Sequence, residues 1–366
     1  MRRRDFEALN SAPFDLLIVG GGIHGLMSAY EASARGLRVA LVEGGDFAAA
    51  ASFNHQRTAH GGLRSLASGR LDLARESIRE RRTLGRVAPR LLRPLPFITG
   101  TYRSVSRGRL ALRTAFAIDK WLARRRNDGL EPELHLPPPR LTSRAATLKL
   151  FPGVRQEHLT GGASWYDYQI IHSTRLAIAV AEAADAQGAR LMNYAEAVSV
   201  RKEGSRVTGM RVRDVLTGAE TDVQAAVTIN AAGARAAEIA KMFGVRGAAA
   251  EVPKVLAMNL VTSKPASDMA LAARSTSGRM LTMTPWHGRA LVGTMQRDEF
   301  ATGASAVITG DDIERAVSEA NSAFPALKLA RADVTLVHRA NVPAERGRGG
   351  RAEFLTAPDI RNHARD

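Results

Sequence analysis

The sequence predicts a mixed α/β fold in which a parallel-stranded layer is joined to a second unit built on an antiparallel sheet. Three observations carry this reading. The run Asp15–Glu43, DLLIVGGGIHGLMSAYEASARGLRVALVE, reads as strand, glycine turn, helix, second strand and terminal carboxylate. A β-hairpin follows much later, Arg206–Arg213 and Asp222–Ala226 about a turn at Thr217-Gly218. Beyond Val255 come irregularly spaced strands, Ala257–Thr262, Met280–Met283, Leu291–Thr294 and Ala332–His338, interrupted by a helix at Asp311–Asn321.

In the first run, Gly20, Gly22 and Gly25 form a GxGxxG triplet that continues to Ala29 and Gly36. Gly20 permits the tight turn out of the strand, and Gly22 lets the backbone approach a diphosphate with no Cβ in the way. Gly25 and Ala29 keep the helix close to the sheet, and the helix N-terminus offers unpaired N–H groups. Gly20, Gly21, Gly22, Ile23, His24 and Gly25 are therefore the candidate diphosphate cradle of a Rossmann-like dinucleotide site. Glu43, with Gly44 after it, stands where a carboxylate accepts hydrogen bonds from a ribose diol.

A small-residue loop, GGDFAAAASFN, leads on to HQRTAHGGLRSL. Leu71–Leu92 reads as a helix, with Leu71, Ala74, Ile78, Leu84 and Val87 near helical spacing and Pro94 and Pro96 ending it. A second helix, Arg109–Arg124, lines up Arg109, Arg113, Lys120 and Arg124 on one side, and Pro137–Pro139 make a stiff connector. Gly161–Asp167 leads into a helix at Thr174–Gln187, closed by Gly188. Val227–Asn230 is a strand whose small-residue turn, with Ala232 and Gly233, fits beside an adenosine, and Arg235–Phe243 is helical.

With 366 residues, 45% of them hydrophobic and 24% charged, the chain has the composition of a globular protein with room for two units. No apolar run is long enough for a transmembrane helix, and Met1–Asn10 do not read as a secretory signal. The absence of cysteine excludes disulfides, thiolate metal sites and cysteine nucleophiles, and it fits a cytoplasmic location. The nine histidines show no metal-ligand spacing. The net charge of +16 is concentrated. Arg64–Arg126 holds sixteen arginines and one lysine against four acids, a surplus of 13. Such a surface attracts phosphate or anionic lipid, and no nucleic-acid-binding motif accompanies it.

Beyond Glu43 the sequence resembles the flavin-dependent glycerol-3-phosphate dehydrogenases. The likeness rests on VEGGDF at Val42–Phe47, HGGLRSL at His60–Leu66, ESIRERRTLGRVAPRLLRPLPF ending at Phe97 and GGASWYDYQ at Gly161–Gln169. It continues in INAAG at Ile229–Gly233, TPWHGRALVGT at Thr284–Thr294 and RADV ending at Val334. It departs at Ser65, where the family has tyrosine, and at Met295 and Gln296, which replace an acid. The family's G-L-R-P becomes Val337-His338-Arg339-Ala340, and a later GG-K-x-T-T segment that closes over the flavin is not reached before Asp366. By this resemblance the chain is expected to be C-terminally truncated.

The resemblance implies FAD as cofactor. It implies FAD-binding parts at 1–100 and 161–245, a basic helical insertion at 101–160, a substrate domain at 246–345 and a tail at 346–366. The activity implied is oxidation of sn-glycerol 3-phosphate to dihydroxyacetone phosphate, with electrons passed to quinone or another acceptor. Ser52, Arg57, Gly61, Gly62, Ala232 and Gly233 would contact FAD, and His60 would be the base or a hydrogen-bond partner of the flavin. Arg64 would hold the substrate phosphate, Arg339 would be a second anion or alkoxide stabiliser, both counted with His60 as catalytic, and Thr294 would line the pocket. Two other outcomes stay open: an oxidase or dehydrogenase for an amine or 2-hydroxy acid, and a silent fragment that binds little FAD. Trp121 and the arginines of 109–126 fit either a peripheral helix on the inner face of the cell membrane or an ordinary surface helix whose apolar side packs on the domain.

Overall fold

The computed structural model describes residues 4–67, 69–103, 109–246, 251–302, 307–355, 357 and 359–363. The chain begins β1 (Phe14–Val19), α1 (Ile23–Ala34), β2 (Val39–Val42), β3 (Thr58–Ala59), α2 (Leu63–Ala67) and α3 (Leu71–Val87). It continues β4 (Leu92–Tyr102), α4 (Arg109–Leu122), β5 (Arg140–Thr142), α5 (Arg144–Leu150), β6 (Leu159–Ile170) and α6 (Ser173–Ala186). Then come β7 (Arg190–Met192), β8 (Ala195–Glu203), β9 (Arg206–Asp214), β10 (Glu220–Asn230), α7 (Ala236–Met242) and β11 (Lys254–Pro265). The last elements are β12 (Ala270–Arg274), β13 (Met280–Trp286), β14 (Arg289–Phe300), α8 (Gly310–Ala323), β15 (Val334–Arg346) and β16 (Ala352–Phe354).

Two sheets organise these elements. The smaller has the order β7-β2-β1-β10-β9-β8, with β1 parallel to both β2 and β10. β10 runs long enough to serve twice. Glu220–Gln224 pair antiparallel with β9, and Ala225–Asn230 pair parallel with β1. The expected hairpin strand and the expected strand at Val227–Asn230 are thus one strand. Because both faces of this layer are covered, β2 is buried at every residue. Leu26, Ala29, Ala177, Ala181 and Ala184 from α1 and α6 cover one face over Ile18 and Leu41, and small side chains there let both helices lie close. Ile239 of α7 lies with Leu17, Val42 and Met210 on the other.

The larger sheet has the order β16-β15-β11-β14-β13-β12-β4-β6-β3, with β5 also on β6. Ala316, Ala320 and Ala323 of α8 pack over Leu260, Leu281 and Val292 of this sheet. Thr309 caps α8 in a reciprocal box with Asp312. The larger sheet draws β3 and most of β4 and β6 from spans 1–100 and 161–245, which the sequence suggests for the nucleotide unit. Chain order and spatial layer differ there, and the larger sheet already begins with β3 at Thr58.

Two local expectations are corrected. The helix from Leu71 stops at Val87, and Pro94 and Pro96 lie inside β4. β4 tolerates them because its parallel partner β12 engages only Phe97–Thr99, so no second neighbour requires their missing N–H groups. Gly161–Asp167, read as a lead into a helix, lies within the strand β6. On α3 the buried stripe is Ala74, Ile78, Arg81 and Gly85, whereas Leu71 and Val87 are exposed.

Candidate functional site

The C-terminal ends of β1, β2 and β10 gather one end of the site, as the carboxyl edge of a parallel sheet does. Gly20 adopts φ 113°, and a Cβ there would lie 2.5 Å from the Ala231 carbonyl oxygen. A Cβ on Gly25 would overlap the Gly20 carbonyl oxygen, so α1 can start this close to β1 only with glycine at that position. Ser52 Oγ accepts from Ile23 N at 2.9 Å. The N–H groups of Gly22, His24 and Gly25 have no acceptor among the described residues. Glu43 accepts from Gly21 N at 2.7 Å and from Gly45 N at 2.8 Å. A carboxylate has further lone pairs, so Glu43 can anchor the glycine turn and still accept from a diol. Opposite it, Asn230 Nδ2 donates to the Ala236 carbonyl at 2.7 Å and Asn230 Oδ1 accepts from Ala232 N at 3.2 Å. That fixes the turn holding Ala232 and Gly233. These groups fit an ADP moiety: backbone donors for the diphosphate and an acid for the ribose.

From Ser52 the chain crosses to the larger sheet and touches three of its strands. Asn54 Oδ1 accepts from Arg339 N of β15 at 3.2 Å, and Gln56 Oε1 accepts from Thr284 Oγ1 of β13 at 3.0 Å. A Cβ on Gly293 of β14 would sit 3.0 Å from Gln56 Nε2. Arg57 is 1% exposed, bonded to Ser173 Oγ and held between the rings of Phe53 and Trp286 at 4.6 and 4.9 Å. Its Nε and Nη2 have no partner among the described residues. Burial pulls the Arg57 guanidinium down to about 10. His338 is fully buried beside it, and burial followed by the Arg57 charge lowers its imidazole to about 4. His55 is lowered to about 4 by burial first and then by the charges of Arg57, His338 and His60. Trp286 is half-buried in this cluster.

His60 follows β3 with its side chain 61% exposed, and its Nδ1 lies 3.0 Å from Asp167 Oδ2 on β6. The buried Asp167 also accepts from Gly61 N at 2.8 Å, Arg81 Nη1 at 2.5 Å and Trp165 Nε1 at 3.3 Å. Burial alone would raise the Asp167 carboxyl. The His60 hydrogen bond and charge, the Arg81 charge and the Gly61 N–H outweigh it and hold the group below the ordinary carboxylate range. A Cβ on Gly61 would overlap the Arg81 guanidinium, and one on Gly62 would lie 2.8 Å from Ala74 Cα. The paired glycines are thus demanded by packing against α3. Sequence reasoning missed Arg81 and Asp167 as site residues. Arg81 was legible as an arginine in the buried i, i+4, i+7 stripe of α3.

Thr294 is half-buried on β14 and donates through Oγ1 to Asn259 Oδ1 at 2.8 Å. Arg339 is exposed, and its guanidinium has no partner among the described residues. The loop from Ser52 to Gly62 therefore carries Ser52, Arg57, His60, Gly61 and Gly62, with the strands of Thr294 and Arg339 crossing it. Arg64 lies on α2, but its side chain falls outside the described residues. Of the departures noted in the sequence, Met295 is buried in the core of the larger sheet, and Gln296 Nε2 donates to the Ala352 carbonyl of β16.

A family model described as FAD dependent oxidoreductase matches residues 15–358. The chain is 31% identical to a glycerol-3-phosphate dehydrogenase of Mycobacterium leprae (strain TN), over 99% of this chain and 60% of that protein. It is 29% identical to one from Synechocystis sp., over 98% of this chain and 65% of the relative. The chain thus spans about three fifths of the length of these curated relatives. Among solved structures it is similar to the glycerol-3-phosphate dehydrogenase of Bacillus halodurans complexed with FAD. That match has a TM-score of 0.71 at 22% identity and covers 92% of this chain and 58% of that one. It is also similar to L-proline dehydrogenase from P. horikoshii, with a TM-score of 0.64 at 15% identity over 91% of this chain and 82% of the other. At these identities the structural likenesses establish the fold.

Proposed function

The chain belongs to the FAD-dependent oxidoreductases, and from that premise we propose that it oxidises sn-glycerol 3-phosphate, or a similar phosphorylated secondary alcohol, to dihydroxyacetone phosphate. Electrons then pass to quinone or another acceptor. The observation that carries the reading is the exposed His60 imidazole, held from behind by buried Asp167, on the segment whose Asn54 and Gln56 meet the strands that carry Arg339 and Thr294. When bound, FAD supplies the two-electron acceptor. The α1 donors, Ser52 and Glu43 would hold its diphosphate and ribose. His60 Nε2 takes the hydroxyl proton as the carbonyl forms. Arg64 and Arg339 hold the substrate phosphate, for which a guanidinium offers two parallel charge-assisted bonds. Thr294 lines the pocket.

The phosphate assignment is tested by comparing glycerol 3-phosphate with glycerol in the FAD-loaded protein. Arg64→Ala is expected to raise KM for the phosphorylated substrate about 10- to 100-fold, the loss of one charge-assisted contact. An unchanged KM would remove Arg64 from the phosphate site. Met295 is core and Gln296 ties β16 to the sheet, so these two departures from the family give no support to an amine or 2-hydroxy acid as substrate.

A peripheral membrane contact has its own support. No helix among the described residues is long and apolar enough to cross a membrane. α4, however, exposes Leu110 and Trp121 at 75% and 59%, beside exposed Arg113, Lys120 and Arg124. That combination suits an interfacial helix on anionic lipid. Arg109, expected on the same cationic side, instead points inward to the Thr142 and Thr160 carbonyls at 2.8 and 3.2 Å.

A further inference from the structure

We propose that Asp167 is a positioning residue for His60. It fixes the imidazole tautomer and ring orientation so that Nε2 faces the substrate. The inference rests on His60 being the base. Antiparallel pairing of Ala59 with Tyr168 brings β6 alongside β3, so Asp167 arrives beside His60 and Gly61 from more than a hundred residues away. Its four acceptor positions are all engaged: Oδ1 by Gly61 N and Arg81 Nη1, Oδ2 by His60 Nδ1 and Trp165 Nε1. Arg81 is 6% exposed and supplies the compensating charge that keeps a buried carboxylate ionised.

An ionised carboxylate only accepts hydrogen bonds, so the hydrogen between Asp167 and His60 resides on His60 Nδ1. Nε2 is then the unprotonated nitrogen, on the exposed side of the ring. When the substrate O–H bond breaks, its proton joins Nε2, and the positive charge created lies against a carboxylate already in place. Without Asp167 the ring is free to rotate and to populate the tautomer that carries hydrogen on Nε2, which cannot accept a proton there. Arg81 and Trp165 act one step further back, by orienting the carboxylate.

The test compares ¹⁵N-histidine spectra of the full-length protein, wild type against Asp167→Asn, with His60 assigned by its loss in His60→Gln. The wild type is expected to show His60 mainly in the Nδ1–H tautomer at neutral pH. The Asp167→Asn protein is expected to shift toward Nε2–H. The spectra need no turnover and can be recorded with or without FAD. Asp167→Asn strands the Arg81 charge, so a double variant, Asp167→Asn with Arg81→Gln, provides a second protein without the buried pair. In the FAD-loaded enzyme kcat is expected to fall about 100-fold or more while KM stays within about threefold. Asp167→Glu should recover part of kcat. An unchanged His60 tautomer in both variants would overturn the positioning role. Activity retained in His60→Gln would instead overturn the base assignment beneath it, and the spectra separate the two failures.

Discussion

Among single residues, those that matter most are buried groups whose neighbours lie far away in sequence. His338 is an example. Its folded value of about 4 lies below the unfolded 6.5, so the unfolded chain binds the extra proton between those two values. Stability is therefore full above about pH 6.5 and is lost as pH falls toward 4, with His55 adding in the same direction. His338→Phe is expected to flatten the fall in melting temperature across that window. An equally steep fall would show that His338 does not carry the linkage. At Gly25, alanine would meet the Gly20 carbonyl oxygen, and overpacking of this kind costs about 1–3 kcal/mol. Gly25→Ala should therefore weaken FAD retention and stability together, as gel filtration with flavin absorbance and thermal melting would show. Gly36→Ala, where a Cβ meets nothing within 4 Å, should spare FAD retention. Asp167 and Arg81 were not legible as a pair, because three separated segments assemble the cluster. No spacing in the chain links Arg81 on α3 to Asp167 on β6.

At the level of elements, the first βαβ unit was readable because its chemistry is local. Glycine conformation, helix periodicity and a terminal acid all fall within Asp15–Glu43, and β1, α1 and β2 form where those signals place them. β4 and β6 were not readable as strands of the larger sheet. Two prolines in β4 and two glycines in β6 are breakers in isolation, and only the pairing of β4 with β6 makes the strands. On α3 the expected Ala74 and Ile78 do lie on the buried face, but Leu71 and Val87 are exposed, and Arg81 and Gly85 complete the buried stripe. The capping box of α8 gives a further test. Thr309→Ala removes the acceptor for Asp312 N and should cost about 1–2 kcal/mol in chemical denaturation. For α4, flotation with anionic vesicles should carry the protein at low salt and release it at high salt. Trp121→Ser with Leu110→Ser should weaken that association. Failure to float with anionic vesicles at low salt would remove the membrane contact.

Across the whole molecule, under the proposed function one sheet end would supply the diphosphate and ribose site, and the second sheet the face on which substrate would lie. The segment Ser52–Gly62 is the bridge, since its hydrogen bonds run from the start of α1 to β13 and β15. That bridge explains why a motif near the N-terminus and strands beyond residue 250 belong to one site. The direct measurement is anaerobic titration of the FAD-loaded protein with sn-glycerol 3-phosphate, followed by flavin absorbance. Bleaching with one equivalent of dihydroxyacetone phosphate formed per flavin is expected, slowed strongly in His60→Gln. Flavin that stays oxidised with this substrate while an amine or a 2-hydroxy acid bleaches it would contradict the proposed function.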